Sequence, residues 1–422
     1  MATITKPKEH KQNKFTSFSA QVVYGLIAGL ILGLIARNQG WLANTLEWFG
    51  DTYVQLLKLL IPPLVFTAVV TSVANLRKVT NAARLAWSTL LWFAITALAA
   101  TVVGIGTGLA LHPGQFTTID PNTAAEPSTH GSWLALINSI VPANYLGLQN
   151  GKFNILQILV FSLAIGIAAV KTGEAAEPFI KVSESLLAII QKVLWWIIRL
   201  APIGTAALIG TAVATYGWGA LGSLGMFVLA IYLGLAIVLL VVYPITLKFA
   251  NISTREFYQR VWPVTELGFF TRSSMGVMPV NQRAVEESMG VPKEYASFVM
   301  PLAATSKMDG CAAVYPAVSA IFVSQFYHMP LSFGDYLLII MVCVLGSAAT
   351  AGTTGATVML TLTLSTLGLP LAGAGLLLAV EPIVDMGRTA TNVTGQALCA
   401  AVVAKRNGIL EQDVWDRGKA LT

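Results

Sequence analysis

The sequence predicts an all-α polytopic membrane protein. Three observations carry this. The 422 residues are 55% hydrophobic and only 11% charged, whereas soluble domains are about a quarter charged. The apolar residues gather in runs near the ~20 residues that a helix needs to cross a bilayer. The basic residues collect at the ends of those runs, as orientation in a membrane requires. A mean hydropathy of +0.70 agrees. The opening MATITKPKEHKQNKF is polar and basic and lacks a secretory cleavage pattern, so residues 1–17 read as a cytoplasmic tail.

Spans follow in order. The first is Phe18 to Ala36. The second runs from about Thr45 to Leu76, with Pro62-Pro63 as a kink site. The third is Leu85 to Leu111. A polar stretch from His112 to Thr129 leads to a half-apolar segment from Trp133 and a span over Phe153 to Val170. Another covers Phe179 to Ala201 and is open to continuation through Ala214. The next is Leu221 to Phe249. Lys6 to Lys14, Arg77, Lys78, Arg84, Lys171, Lys248, Arg255, Arg260, Lys405 and Arg406 fall on one side of this set. The loops 114–149 and 328–335 contain no Lys or Arg, and Arg37 is the exception. Both termini are therefore expected in the cytoplasm of a cell-membrane protein.

Beyond Arg260 the apolar segments are interrupted. TRSSMGVMP lies within Val264–Val280, TSKMDGCA within Tyr295–Phe326, and SAATAGTTGAT within Leu337–Leu371. EPIVDMGRTATNVTGQ lies within Ala372–Ala404. Gly, Ser and Thr at membrane depth open a helix, and open backbone is tolerated there only when buried or lining a cavity. Discontinuous helices with polar tips point to a transporter binding site.

Other classes find no support. GLQNGK at 147–152 lacks the Ser/Thr that a phosphate loop carries after its lysine. There is no G-x-S-x-G and no H-E-x-x-H, and His10, His112, His130 and His328 all sit in tails or loops, leaving no nucleophile–base pair. The net charge of +6 is explained by orientation rather than by nucleic acid. Cys311, Cys343 and Cys399 lie in apolar runs and read as buried free thiols.

The chemistry concentrates in Glu381 to Gln396. On a helix, Asp385, Arg388 and Asn392 stand at i, i+3 and i+7 and share a face, with Thr389 and Gln396 beside it. This stripe suits a zwitterion: Asp385 takes the ammonium, and Arg388 holds a distal carboxylate through its planar fork. An internal pair that merely pins helices is the plainer reading. The tip at Arg272–Gly276 offers the hydroxyls of Ser273 and Ser274 and backbone amides for a carboxylate. Gly352, Thr353, Thr354 and Gly355 form a flexible stretch apt for a gate. Thr305, Met308 and Asp309 supply oxygen ligands of the kind alkali cations prefer.

With these motifs the chain resembles the dicarboxylate/amino acid:cation symporter family, which has the glutamate-transporter fold, over nearly its whole length. The signatures are TRSSMGVMP, KMDGCA, TAGTTGATVM and DMGRTATNVTG. The resemblance implies eight transmembrane helices, two re-entrant hairpins, a homotrimer in lipid, and an elevator motion. The static scaffold would be 18–84 and 113–216; the moving part would be helix three at 85–112 together with 217–404. Residues 405–422 would be a second cytoplasmic tail. By position, Asp385 resembles the residue that binds the substrate amino group, and Arg388 the one that reads its side chain. Thr389, Asn392 and Ser274 match contacts to the amine and main-chain carboxylate. The implied function is cation-coupled import of a small amino acid with a distal carboxylate, with no other cofactor. GCAAVYPA resembles a cystine-uptake branch, placed first here, and TRSSMGVMPV fits the aspartate/glutamate branch equally well. A substrate-gated, anion-conducting channel of the same fold is the alternative, and counterflow exchange of labelled substrate separates the two.

Departures from the family pattern bear on the coupling ion, sodium or a proton. The helix-seven motif begins with Lys307 where the family has asparagine. Gln396 stands where an aspartate usually follows NVTG, and helix three reads Phe93, Thr96, Ala97 in place of a Tyr-x-x-Thr-Ser pattern. The Lys307 ammonium is read as standing where a sodium would stand, paired with Asp309. A lysine at this depth also has the option of snorkelling to water. Coupling would then use one sodium at a backbone-built site near Thr305, Met308, Ala348, Ala349 and Ala351, or a proton carried by Lys307 or Glu381.

Overall fold

A computed structural model describes residues 18–76, 82–115, 148–149, 152–153, 155–200, 202–207, 209–211, 213–214, 224–347, 355–377 and 380–417. Apart from a two-residue antiparallel pair, Leu148–Gln149 with Lys152–Phe153, and short 3-10 and π turns, the regular elements among the described residues are α-helices. Two of them, Ala83–Gln115 and Gly225–Phe249, are long and apolar enough to cross a membrane by length and composition.

α1 (Phe18–Ala36) and α2 (Gly40–Leu76) form the N-terminal pair. α2 starts five residues before the Thr45 expected from hydropathy, because helical hydrogen bonding continues through polar residues that a hydropathy window discards. It runs unbroken through Pro62 and Pro63. α4 (Ile155–Thr172) and α5 (Glu177–Ile198) pack along α2. Gly25, Gly29 and Gly33 recur every four residues on α1 and meet Pro202, Ala206 and Gly210 of the next helical stretch. A Cβ at Gly33 would come within 2.6 Å of the Gly210 carbonyl oxygen, so small residues set how near the two backbones approach.

The second group surrounds α14 (Glu381–Arg406), which is buried almost completely beyond Arg388. α3 (Ala82–Leu111), α6 (Gly225–Ile237, continuing through a π turn into Tyr243–Phe249) and α7 (Thr254–Thr271) pack against it. α7 and α8 (Ser274–Arg283) make a helix–turn–helix. Arg272 turns the chain in the left-handed conformation (φ 51°), and Ser273 caps α8 by accepting the Gly276 N–H at 3.0 Å. α9 (Lys293–Ser306) ends at Lys307, whose φ and ψ are not helical, and the chain re-enters through a π turn at Asp309–Val314 before α10 (Tyr315–Phe326). α11 (Phe333–Ser347) and α12 (Gly355–Thr366) are the two arms of the last interrupted segment, and α13 (Ala372–Leu377) leads to α14. Interruptions therefore fall at TRSS and TSKMDG, where the sequence places them; EPIVDMGRTATNVTGQ, read as a further interrupted segment, is instead continuous helix from Glu381 on.

The far end of the chain is docked. α15 (Gln412–Arg417) lies against the base of α7 and α8. Arg260 stacks over the Trp415 ring at 4.0 Å and donates to the Trp415 carbonyl at 2.7 Å. The Trp415 indole and Arg260 both donate to Glu256, and the Glu411 N–H bonds the Gly290 carbonyl at 2.7 Å. Large apolar side chains such as Trp87, Leu240 and Phe249 are exposed on the outer faces, where a lipid solvent accepts them.

Candidate functional site

Glu381 opens α14, followed by Pro382 in the first turn, where proline's missing N–H has no partner to lose. One and two turns later on the same face stand Asp385 and Arg388. Arg388 is among the largest fully buried side chains of the protein. Its guanidinium pairs with Glu381 and, at 3.0 Å, with Asp385. It stacks over the Tyr315 ring of α10 at 4.0 Å. Thr389 donates to Asp385 at 3.4 Å. A buried guanidinium is tolerable only when paired, and this pairing leaves Nε and Nη1 without a hydrogen bond to any described residue.

Asn392 and Gln396 face the broken helix. Asn392 accepts from the Gly310 N–H at 2.8 Å and the Cys311 N–H at 3.4 Å, and donates to Cys311 Sγ at 3.1 Å. Gln396 donates to the Lys307 carbonyl at 3.3 Å and accepts from Asn281 at 3.4 Å. The two amides thus satisfy backbone groups that the break between α9 and α10 releases. A Cβ at Gly310 would lie 2.7 Å from the Arg388 Cα, so only glycine lets the π turn close on α14 there.

The other expected residues divide. Ser274 is buried at the start of α8, while the Ser273 hydroxyl is engaged as the cap. Thr305 is buried and donates to the Leu302 carbonyl at 2.8 Å. Thr96 on α3 donates to the carbonyls of Trp92 and Phe93. Phe93 and Met308 are buried. Lys307 does not snorkel: its side chain is 1% exposed and paired with Asp309, which is 0% exposed. Gly355 begins α12. Ala348, Ala349, Ala351, Gly352, Thr353 and Thr354, assigned to the gate and a sodium site, lie outside the described residues.

Four participants carried no role in the sequence reading. Arg272 lies within electrostatic range of Asp385 and Glu381 and balances their charge together with Arg388. Tyr315 supplies the aromatic face for Arg388. Cys311 stands between Asp385 and Asn392. Tyr243, directly after the π turn of α6, donates to Asp309 at 2.8 Å. An arginine and tyrosines inside apolar segments were the available signal.

Broken helices whose polar tips converge on a buried charged stripe define a membrane transporter rather than an enzyme. The chain belongs to the sodium:dicarboxylate symporter family, which it matches over residues 18–406. It is 33% identical over 414 residues to the proton/sodium-glutamate symport protein of Bacillus subtilis, covering 94% of each chain. It is 31% identical to the L-cystine uptake protein TcyP of Shouchella clausii (96% of this chain, 92% of the relative). The proton/glutamate-aspartate symporter of Escherichia coli is 30% identical (97% and 96%).

Proposed function

We propose that the protein is a cation-coupled importer of an amino acid with a distal carboxylate, L-cystine first and aspartate or glutamate second. The observation that carries this is Arg388, a fully buried guanidinium with two unengaged nitrogens, set one turn from the Asp385 carboxylate. A fork of parallel N–H donors matches a carboxylate. Asp385 takes the substrate ammonium while Arg388 takes the distal carboxylate, so recognition demands both groups at a fixed spacing. The relatives named for glutamate and for cystine transport are consistent with that requirement.

In this reading the coupling ion is sodium or a proton. The chain works as a homotrimer in the cell membrane with both termini cytoplasmic, and a moving body built around α14 slides against a static one. Gly352 to Gly355 gate the substrate, and Ser273, Ser274 and Thr305 line its path.

Uptake of labelled cystine, aspartate, glutamate and serine into vesicles, with imposed sodium or proton gradients, tests it. The expected result is uptake of a distal-carboxylate amino acid, counterflow exchange, and no serine uptake. Serine uptake at the same rate, or conductance without counterflow, overturns it.

A further inference from the structure

The family's implied sodium meets an obstacle at the break between α9 and α10. The ammonium of Lys307 is ion-paired with Asp309, and both side chains are buried. It lies 5.8 Å from the centre of the Tyr243 ring. It also reaches α14 at Gly395, where an added Cβ would stand 3.1 Å from Nζ. The Tyr243 hydroxyl donates to the same Asp309 oxygen at 2.8 Å and faces the Thr391 carbonyl at 3.2 Å.

Oxygens at the break and on the helices beside it already take part in hydrogen bonds. Asn392 Oδ1 accepts from Gly310 and Cys311. The Thr96 hydroxyl donates to its own helix. The Lys307 carbonyl accepts from Gln396, whose own oxygen accepts from Asn281. Among the described residues, Asp309 Oδ1 is buried with no hydrogen-bond partner, as is Asn281 Oδ1. A second monovalent cation placed here would meet the lysine charge in a medium that screens it weakly. The residues do not fit a sodium ion.

A buried ion pair is poor value for stability, since apolar side chains of equal volume often do as well. Its presence at a helix break in a symporter calls for another role. We propose that the Lys307 ammonium is a resident cation: it permanently fills a site that would otherwise take an alkali cation, and this site contributes no ion to the transport cycle. The consequence for transport rests on the symporter reading; the occupancy of the site does not. Removing the ammonium would leave the Asp309 carboxylate, the Tyr243 hydroxyl and the Thr391 carbonyl around a hole of about its size, and that set would bind sodium.

The test is thermal melting of the purified protein without amino acid, in sodium chloride against choline chloride at equal ionic strength. Wild type gives the response of any other sodium site. Lys307→Ala is expected to gain a sodium-dependent rise in Tm beyond that of wild type, growing with the logarithm of concentration as binding to the folded state requires. Lys307→Ala/Asp309→Asn is expected to lose the gain. A Lys307→Ala response equal to wild type overturns the proposal, as does a gain that survives removal of the Asp309 charge. Lys307→Asn provides a second neutral side chain. If neither single variant can be recovered folded in sodium, the opened site does not take the ion and the proposal fails. No uptake is measured, so an error in the substrate leaves this result untouched.

Discussion

At Arg388 a guanidinium without exposed surface is held between two carboxylates and an aromatic face. We predict that Arg388→Ala abolishes uptake of cystine, aspartate and glutamate alike. It also takes from Glu381 and Asp385 the charge they are directly paired with and leaves Arg272 to balance both. Breaking a fully buried pair costs about 3–5 kcal/mol, and these part-exposed carboxylates lose less than that. Arg388→Ala/Glu381→Gln should therefore recover much of the lost Tm while uptake stays absent. Recovery of uptake in the double variant would show that Arg388 only neutralises Glu381. Arg388→Lys should not restore wild-type uptake either, because a point charge cannot reproduce the fork. The i, i+3, i+7 spacing of Asp385, Arg388 and Asn392 was legible in the sequence, since a helix puts such positions on one face whatever surrounds it; that Glu381 joins the same cluster was not read from it. The partners of Asn392 were not. A buried amide takes whichever polar group the neighbouring element presents, and here these are the N–H groups released at Gly310 and Cys311. Nor could spacing decide whether Lys307 reached water. That depended on α6, distant in sequence, setting Tyr243 against its carboxylate partner.

The interrupted elements were legible for a different reason. Gly, Ser and Thr in an apolar run weaken the helix exactly where polar tips are needed, and TRSS and TSKMDG did become the breaks. The closeness of those breaks to α14 was not, since approach distance is a property of two elements. Gly310→Ala puts a methyl group against the Arg388 backbone. We expect destabilisation of about 1–3 kcal/mol, the usual range for overpacking, read as a fall in Tm together with weaker substrate-induced stabilisation. An unchanged Tm would mean that the π turn has room to shift. At its start, α11 is capped by the loop that precedes it. The Asp335 carboxylate accepts from the Ser332 N–H and hydroxyl, each at 2.8 Å, and these bonds hold its pKa below the usual carboxylate value. A depressed folded pKa makes this cap fully effective above the unfolded value of about 3.9 and progressively lost as pH falls through the folded one. Hydrogen exchange at residues 332–337 should therefore rise only under acid conditions in wild type, and at neutral pH in Asp335→Ala.

Across the whole molecule, α2 lies with α4, α5 and α9 while α14 gathers α3 and α6 to α9. Composition announced a membrane protein, but it carried no hint that α15 would return to the first helix–turn–helix. The contact joins an arginine to a tryptophan across the whole C-terminal half, and neither residue shows periodicity that names the other. Trp415→Ala removes a buried aromatic group from above Arg260. We predict faster hydrogen exchange at 253–261 and 284–292 with little change in α2; protection left intact would show that backbone bonds alone hold the dock. The order of synthesis gives this contact a further meaning. Trp415 is made 155 residues after Arg260, so throughout that interval the arginine lacks its indole and its carbonyl. A chain halted before Gln412 carries an unfinished base to its first helical hairpin, a mark by which a membrane protease can tell it from a completed one. The hypothesis is checked by comparing degradation of stalled and full-length chains in membranes: preferential cutting near 284–292 in the stalled chain supports such a proofreading signal, and equal lifetimes remove it.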